Sequence, residues 1–258
     1  KEPGPDNTLK NDLYMKKLHQ IADLAAQDRR TEEAHQLNER YAKYAAASGH
    51  PHKLAQARNS QAFAAGYSGD YEKAEDYHRR AQAIYREAGM RHNEAYLYSN
   101  LAYIRRGAGN ASEALAHYEL AARLFLLLEN PRAAADARLR RAHILIEEER
   151  PGEALSETES SRELYATHGT KRDLSETEVL RGHLSRTPEQ QIAAYQKARK
   201  LCEAGGDTAC MSYAMASEAY HYFSAGARQK SLRLLKEIIA LQEKSGMDRE
   251  LALTWSAV

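Results

Sequence analysis

The chain has 258 residues, 37 basic against 36 acidic, for a formal charge of +1, and 43% of its residues are hydrophobic. That balance excludes the strong positive field on which sequence-independent nucleic-acid binding depends. No apolar run reaches the roughly 18–20 residues of a membrane span.

Residues 1–11 lack the apolar stretch of a signal peptide and read as a flexible segment, so the expected location is cytoplasmic. The start without Met and the end within a helical pattern fit a piece of a larger protein. Beyond residue 11, the scarcity of Pro (6 residues) and the abundance of Ala, Leu, Glu, Arg and Gln favour helix throughout.

Displaced against itself by 40 residues, the sequence brings Ala22, Ala62, Ala102, Ala142 and Gly182 into register, and with them Ala34, Ala74, Ala114 and Ala154. Small residues at a fixed step mark places where two antiparallel helices, packed about 8–10 Å apart, come closest. Each repeat is therefore a helix pair, with pairs expected at about 12–47, 54–88, 94–128, 133–168, 174–204 and 210–245. Gly69 and Gly109 mark the turn inside a repeat; Gly49, Gly89 and Gly169 mark the junction between repeats, where Glu129 is the exception. Ala74, Tyr77, Ala81 and Tyr85, and likewise Ala114, Tyr118, Ala121 and Phe125, form the inner stripes of the second helices.

Repeat four departs in carrying Arg150-Pro151-Gly152 at its turn, and repeat five is three residues short near Ser185–Pro188. Cys202 and Cys210 flank the next junction, where either a local disulfide or two buried thiols fits. After a sixth repeat a final helix is expected from Asp248, carrying Ala252, Trp255 and Val258.

Asn100-Leu101-Ala102-Tyr103 followed by Gly109-Asn110-Ala111-Ser112-Glu113-Ala114, and Gly69-Asp70-Tyr71-Glu72-Lys73-Ala74, resemble the tetratricopeptide repeat in its extended form of about 40 residues. The resemblance covers nearly the whole chain. It implies an all-α, right-handed superhelical solenoid over residues 12–258, whose first helices line a concave groove that holds a peptide or protein.

Carried over repeat by repeat, the groove positions are Asn59, Phe63 and Tyr67, then Tyr96, Asn100, Tyr103 and Arg106, then Arg140 and His143, then His183 and Arg186, and finally Tyr213, Tyr220 and Phe223. This makes a groove aromatic at both ends and basic in the middle, suited to a partner segment of acidic character whose carboxylates meet Arg106, Arg140 and Arg186. Asn59 and Asn100 are placed to meet its main chain. The competing reading makes the tyrosines inter-repeat core and pairs the arginines with Glu147, Glu148 and Glu149. The two-carboxylate clamp of chaperone-binding members is absent, since His19 and Asp23 stand at matching positions of repeat one.

Other chemistry is poorly supported. The 11 histidines include no His-Glu-x-x-His, and His50-Pro51-His52 has no further ligand beside it, so neither a metal nor another cofactor is expected. Gly107-Ala108-Gly109 lacks the third glycine and the preceding strand of a dinucleotide loop. No nucleophile and base converge, which makes a binding module the leading expectation. A scaffold self-associating through the C-terminal end is the alternative. Phosphate or RNA binding through Arg105, Arg106, Arg138, Arg140 and Arg141 is more distant.

Overall fold

The computed structural model describes residues 8–27, 30–47 and 49–246. Among them are twelve helices and no strand. Contacts divide the chain into two compact units, residues 1–129 and 130–258.

The first unit contains α1 (Thr8–Gln27), α2 (Thr31–Ala47), α3 (Pro51–Tyr67), α4 (Tyr71–Glu87), α5 (Arg91–Gly107) and α6 (Ala111–Leu127). The second contains α7 (Pro131–Glu147), α8 (Pro151–His168), α9 (Lys171–Leu184), α10 (Pro188–Ala204), α11 (Thr208–Ser224) and α12 (Arg228–Lys244). Residues 8–11, read from the sequence as part of a flexible segment, are thus helical. Residues 1–7 and the expected helix from Asp248, with any self-association through it, lie outside the described residues.

Both small-residue series are fully enclosed by the helix packing. Ala22, Ala62, Ala102 and Ala142, and Ala34, Ala74, Ala114 and Ala154, are all 0% exposed. At Gly182 even a methyl group is excluded, because a Cβ there would stand 2.5 Å from the Tyr195 ring. The inner stripes of α4 and α6 are buried as their spacing requires.

Local chemistry sets the helix boundaries. Asp70, Asn110, Asn130, Thr187 and Asp207 each accept a backbone N–H of the turn they precede, and Thr170 forms a capping box with Asp173. Pro51, Pro131, Pro151 and Pro188 occupy the first helical position, where a missing N–H costs nothing.

Two turns differ from the expectation. In repeat four the left-handed turn residue is Glu149, at φ 57°, matching Gly109 at φ 78° one repeat earlier; Gly152 lies inside α8. Glu129 likewise takes φ 55° at its junction. Gly169 is a junction residue, but its backbone is extended (φ −98°, ψ 176°), and it is needed because a Cβ would meet the Tyr165 side chain at 2.7 Å.

The three-residue shortening falls on α9, which has 14 residues where its counterparts α7 and α11 have 17. Ser185 and Thr187 then run extended into α10. Gln191 stands where repeats one to four have alanine and repeat six has Ser231, and its Nε2 donates to the Ser185 carbonyl at 2.8 Å. Cys202 and Cys210 form a disulfide that ties the end of α10 to the start of α11, which resolves the alternatives left open by the sequence.

Candidate functional site

In the first unit the expected residues come together on the faces of α3 and α5. Asn59, Phe63 and Tyr67 follow at steps of four along α3, and Tyr96, Asn100 and Tyr103 at steps of four and three along α5, so each set forms one stripe. Asn100 Nδ2 donates to Asn59 Oδ1 at 3.0 Å. The Phe63 and Tyr103 ring centroids are 6.1 Å apart, and those of Tyr67 and Tyr103 6.3 Å in an edge contact. Tyr96 stands edge-on to the buried Phe125 ring at 4.7 Å.

These rings are anchored yet open: Tyr67 is 44% exposed, Tyr96 48% and Tyr103 44%, which argues against the reading of these tyrosines as core. Phe63 and Arg106 are half-buried. The two asparagines are already paired with each other, so only the remaining capacity of each amide can face a ligand.

The spacing of that pair recurs. His19 bonds Ser60 at 3.1 Å, and Arg132 Nε donates to Asp173 at 3.1 Å, each across 41 residues. Neighbouring first helices therefore meet one residue out of step with the 40-residue period. His19, at the position of the chaperone clamp, is also bonded to Gln56 at 2.8 Å.

In the second unit Arg140 is exposed and His143 half-buried on α7, while His183 is exposed at the equivalent position of α9. Tyr213, Tyr220 and Phe223 on α11 are 52%, 70% and 59% exposed, as expected of a surface stripe. The His183 ring packs against Tyr195 at 5.5 Å although part of the side chain reaches the surface, and this partial enclosure lowers its pKa, so any tuning by protonation falls below the ordinary histidine range.

The basic middle needs correction, because two carboxylates missed by the sequence reading share these helix faces. Asp136 lies one turn before Arg140 on α7, and Glu176 is its equivalent on α9. Burial raises both carboxyl groups. For Asp136 the bond donated by the Tyr165 hydroxyl and the nearby Arg140 oppose that rise, and for Glu176 the main opposing charge is Arg140. Their signal was available: they are 40 residues apart and correspond to Tyr96.

The arginines outside this face are largely neutralised. Arg105 pairs with Glu75 at 2.6 Å and Glu113 at 3.1 Å, and Arg138 and Arg141 share Glu157 at 3.1 and 2.6 Å. Such pairing weakens the local positive field on which the phosphate or RNA reading rested. Among the described residues no group of three His, Cys, Asp or Glu could hold a metal ion, and no helix is long and apolar enough to cross a membrane.

A succession of antiparallel helix pairs at a 40-residue step defines the class of helical-repeat proteins. The tetratricopeptide repeat family model matches residues 53–126, the α3–α6 stretch. Among solved structures, BtubC (BKLC) from P. vanneervenii is similar at a TM-score of 0.64 and 16% identity, over 90% of this chain and 92% of that one. The apo form of RapI gives 0.65 at 14%, over 94% and 86%. NprR in complex with its cognate peptide NprX gives 0.57 at 13%, over 98% and 73%. At these identities the likeness is one of fold. No curated protein matches in sequence. Residues 53–126 thus carry tetratricopeptide repeats, and over the rest of the chain the likeness to tetratricopeptide solenoids is one of fold.

Proposed function

We propose that this protein is a non-catalytic module that binds a peptide or a peptide-like segment of another protein, with the α3–α5 face as its principal site. The observation that carries the reading is the open aromatic cluster of Phe63, Tyr67 and Tyr103 beside the Asn59–Asn100 amide pair. Aromatic rings bury much area for few rotatable bonds, and amides satisfy a peptide main chain in either direction. An apolar side chain of the partner seats among the rings, its main chain lies along the amides, and a carboxylate meets Arg106 at the end of α5. The structure of NprR with its cognate peptide supports a peptide as ligand of this fold.

On the second unit the mixture of Arg140 with Asp136 and Glu176 suits a partner carrying both charge signs rather than a uniformly acidic one. The adaptor or sensor role within a larger regulator follows from that binding.

Selection from a random peptide library tests the reading. Selected sequences should share an apolar or aromatic residue, and Tyr67→Ala combined with Tyr103→Ala should weaken their binding at least tenfold while helical circular dichroism is unchanged. Failure to enrich any peptide, or undiminished affinity in the double variant, would overturn it.

A further inference from the structure

The turn that α9 lacks leaves a cleft of about 520 Å³ between α8, α9 and α10, within the range of small-ligand sites. Its apolar lining comes from Leu155 on α8, Leu184 at the end of α9, and Ala193 and Ala194 on α10. Leu155 is 39% exposed although it faces a neighbouring helix pair, as expected where a packing element has been removed.

The charged lining is built around a buried acid. Glu178 is 1% exposed, and its two oxygens are taken by Arg181 Nη1 and Lys197 Nζ, each at 2.6 Å. Glu159 is satisfied by Arg162 at 2.8 Å and by Arg181 at 2.6 Å. Arg186 also lines the cleft, is exposed, and makes no ion pair with any described residue. The two carboxylates are thus compensated within the protein, while the rim keeps one cation in surplus. A low-dielectric floor beside an unspent guanidinium favours a ligand with an apolar body and one negative end.

We propose that this cleft binds a small aliphatic or arylaliphatic carboxylic acid, its carboxylate held by Arg186 with Lys197 beside it, and its hydrocarbon over Leu155, Leu184 and Ala194. The site is separate from the peptide face on α3 and α5 and stands or falls independently of it.

The probe is sodium hexanoate titrated into the ¹⁵N-labelled protein, with hexanamide, hexylamine and inorganic phosphate titrated in parallel. Saturable shifts of the amides of residues 184–197 are expected with hexanoate at millimolar concentration, and at least tenfold weaker ones with the other three. Arg186→Gln removes an unpaired, exposed cation, and Ala193→Phe fills the cleft from an exposed helix position; each should weaken hexanoate at least fivefold with the spectrum otherwise preserved. Absence of saturation with hexanoate would overturn the proposal, as would equal binding of hexylamine or phosphate, or unchanged affinity in both variants.

Discussion

Asn100 donates to Asn59 at 3.0 Å across neighbouring first helices, in the midst of the aromatic face. Each amide fixes the other, and Phe63 lies one turn beyond Asn59 just as Tyr103 lies one turn beyond Asn100. If the bond orders this face, the two residues should be energetically coupled. Urea unfolding of Asn59→Ala, Asn100→Ala and the double variant should give a coupling of about 0.5–1.5 kcal/mol. Strict additivity of the single effects would show that the amides do not act as a pair.

The close-packing positions differ in how little room they leave. Ala102 is 0% exposed, and Ala102→Glu buries an unpaired charge at a helix contact, so a loss of about 2–5 kcal/mol is expected from thermal unfolding. Gly182→Ala should destabilise by about 1–3 kcal/mol, despite alanine's higher helix propensity, because the Tyr195 ring must move. Gly152→Ala, with no atom within 4 Å of the new methyl group, should be neutral or stabilising by up to about 1 kcal/mol. The same sign for both glycine variants would contradict this geometry.

Glu149 holds a left-handed backbone, φ 57°, that its neighbours in the series assign to glycine. The conformation costs an L-residue about 1–2 kcal/mol, part of which glycine returns through its freer unfolded chain. Glu149→Gly should therefore raise stability by about 0.5–1 kcal/mol, visible as a higher urea midpoint at unchanged slope. A lowered midpoint would mean that the Glu149 side chain contributes more than the strain costs.

His78 is 3% exposed, and burial lowers its pKa to about 4 from the ordinary 6.5. Between those values the unfolded chain binds a proton that the folded chain refuses, so stability is fully present above about pH 6.5 and is lost as the pH falls towards 4. The slope is about 1.4 kcal/mol per pH unit from this group. His78→Leu should flatten the fall in urea midpoint between pH 7 and pH 5. An equally steep fall in the variant would assign the acid sensitivity to other groups.

The period, the helix pairs, the close-packing alanines and the shortened fifth repeat were all legible in the sequence. Each is fixed by residues near one another along the chain: a small side chain is required wherever two helices touch, and a missing turn of helix shifts every later landmark. The aromatic face was legible for the same reason, because Asn59, Phe63 and Tyr67 form a stripe as soon as α3 is a helix.

Tertiary structure alone decided which side chains meet across helices. Asn59 meets Asn100 rather than Ser99 because neighbouring first helices are displaced by one residue from the 40-residue step, an offset set by how their faces pack. Arg138 and Arg141 reach Glu157 on the next helix, and Asp136 takes the Tyr165 hydroxyl, through contacts between helices that periodicity does not specify. Glu149 could adopt a glycine's conformation because the helices on either side of its turn are held by their own packing, which outweighs a local preference of about 1–2 kcal/mol. The sequence by itself thus determined the array of helices and the order of its faces. Folding determined their charge, since a side chain's partner depends on where its tip arrives in space and not on its place in the repeat.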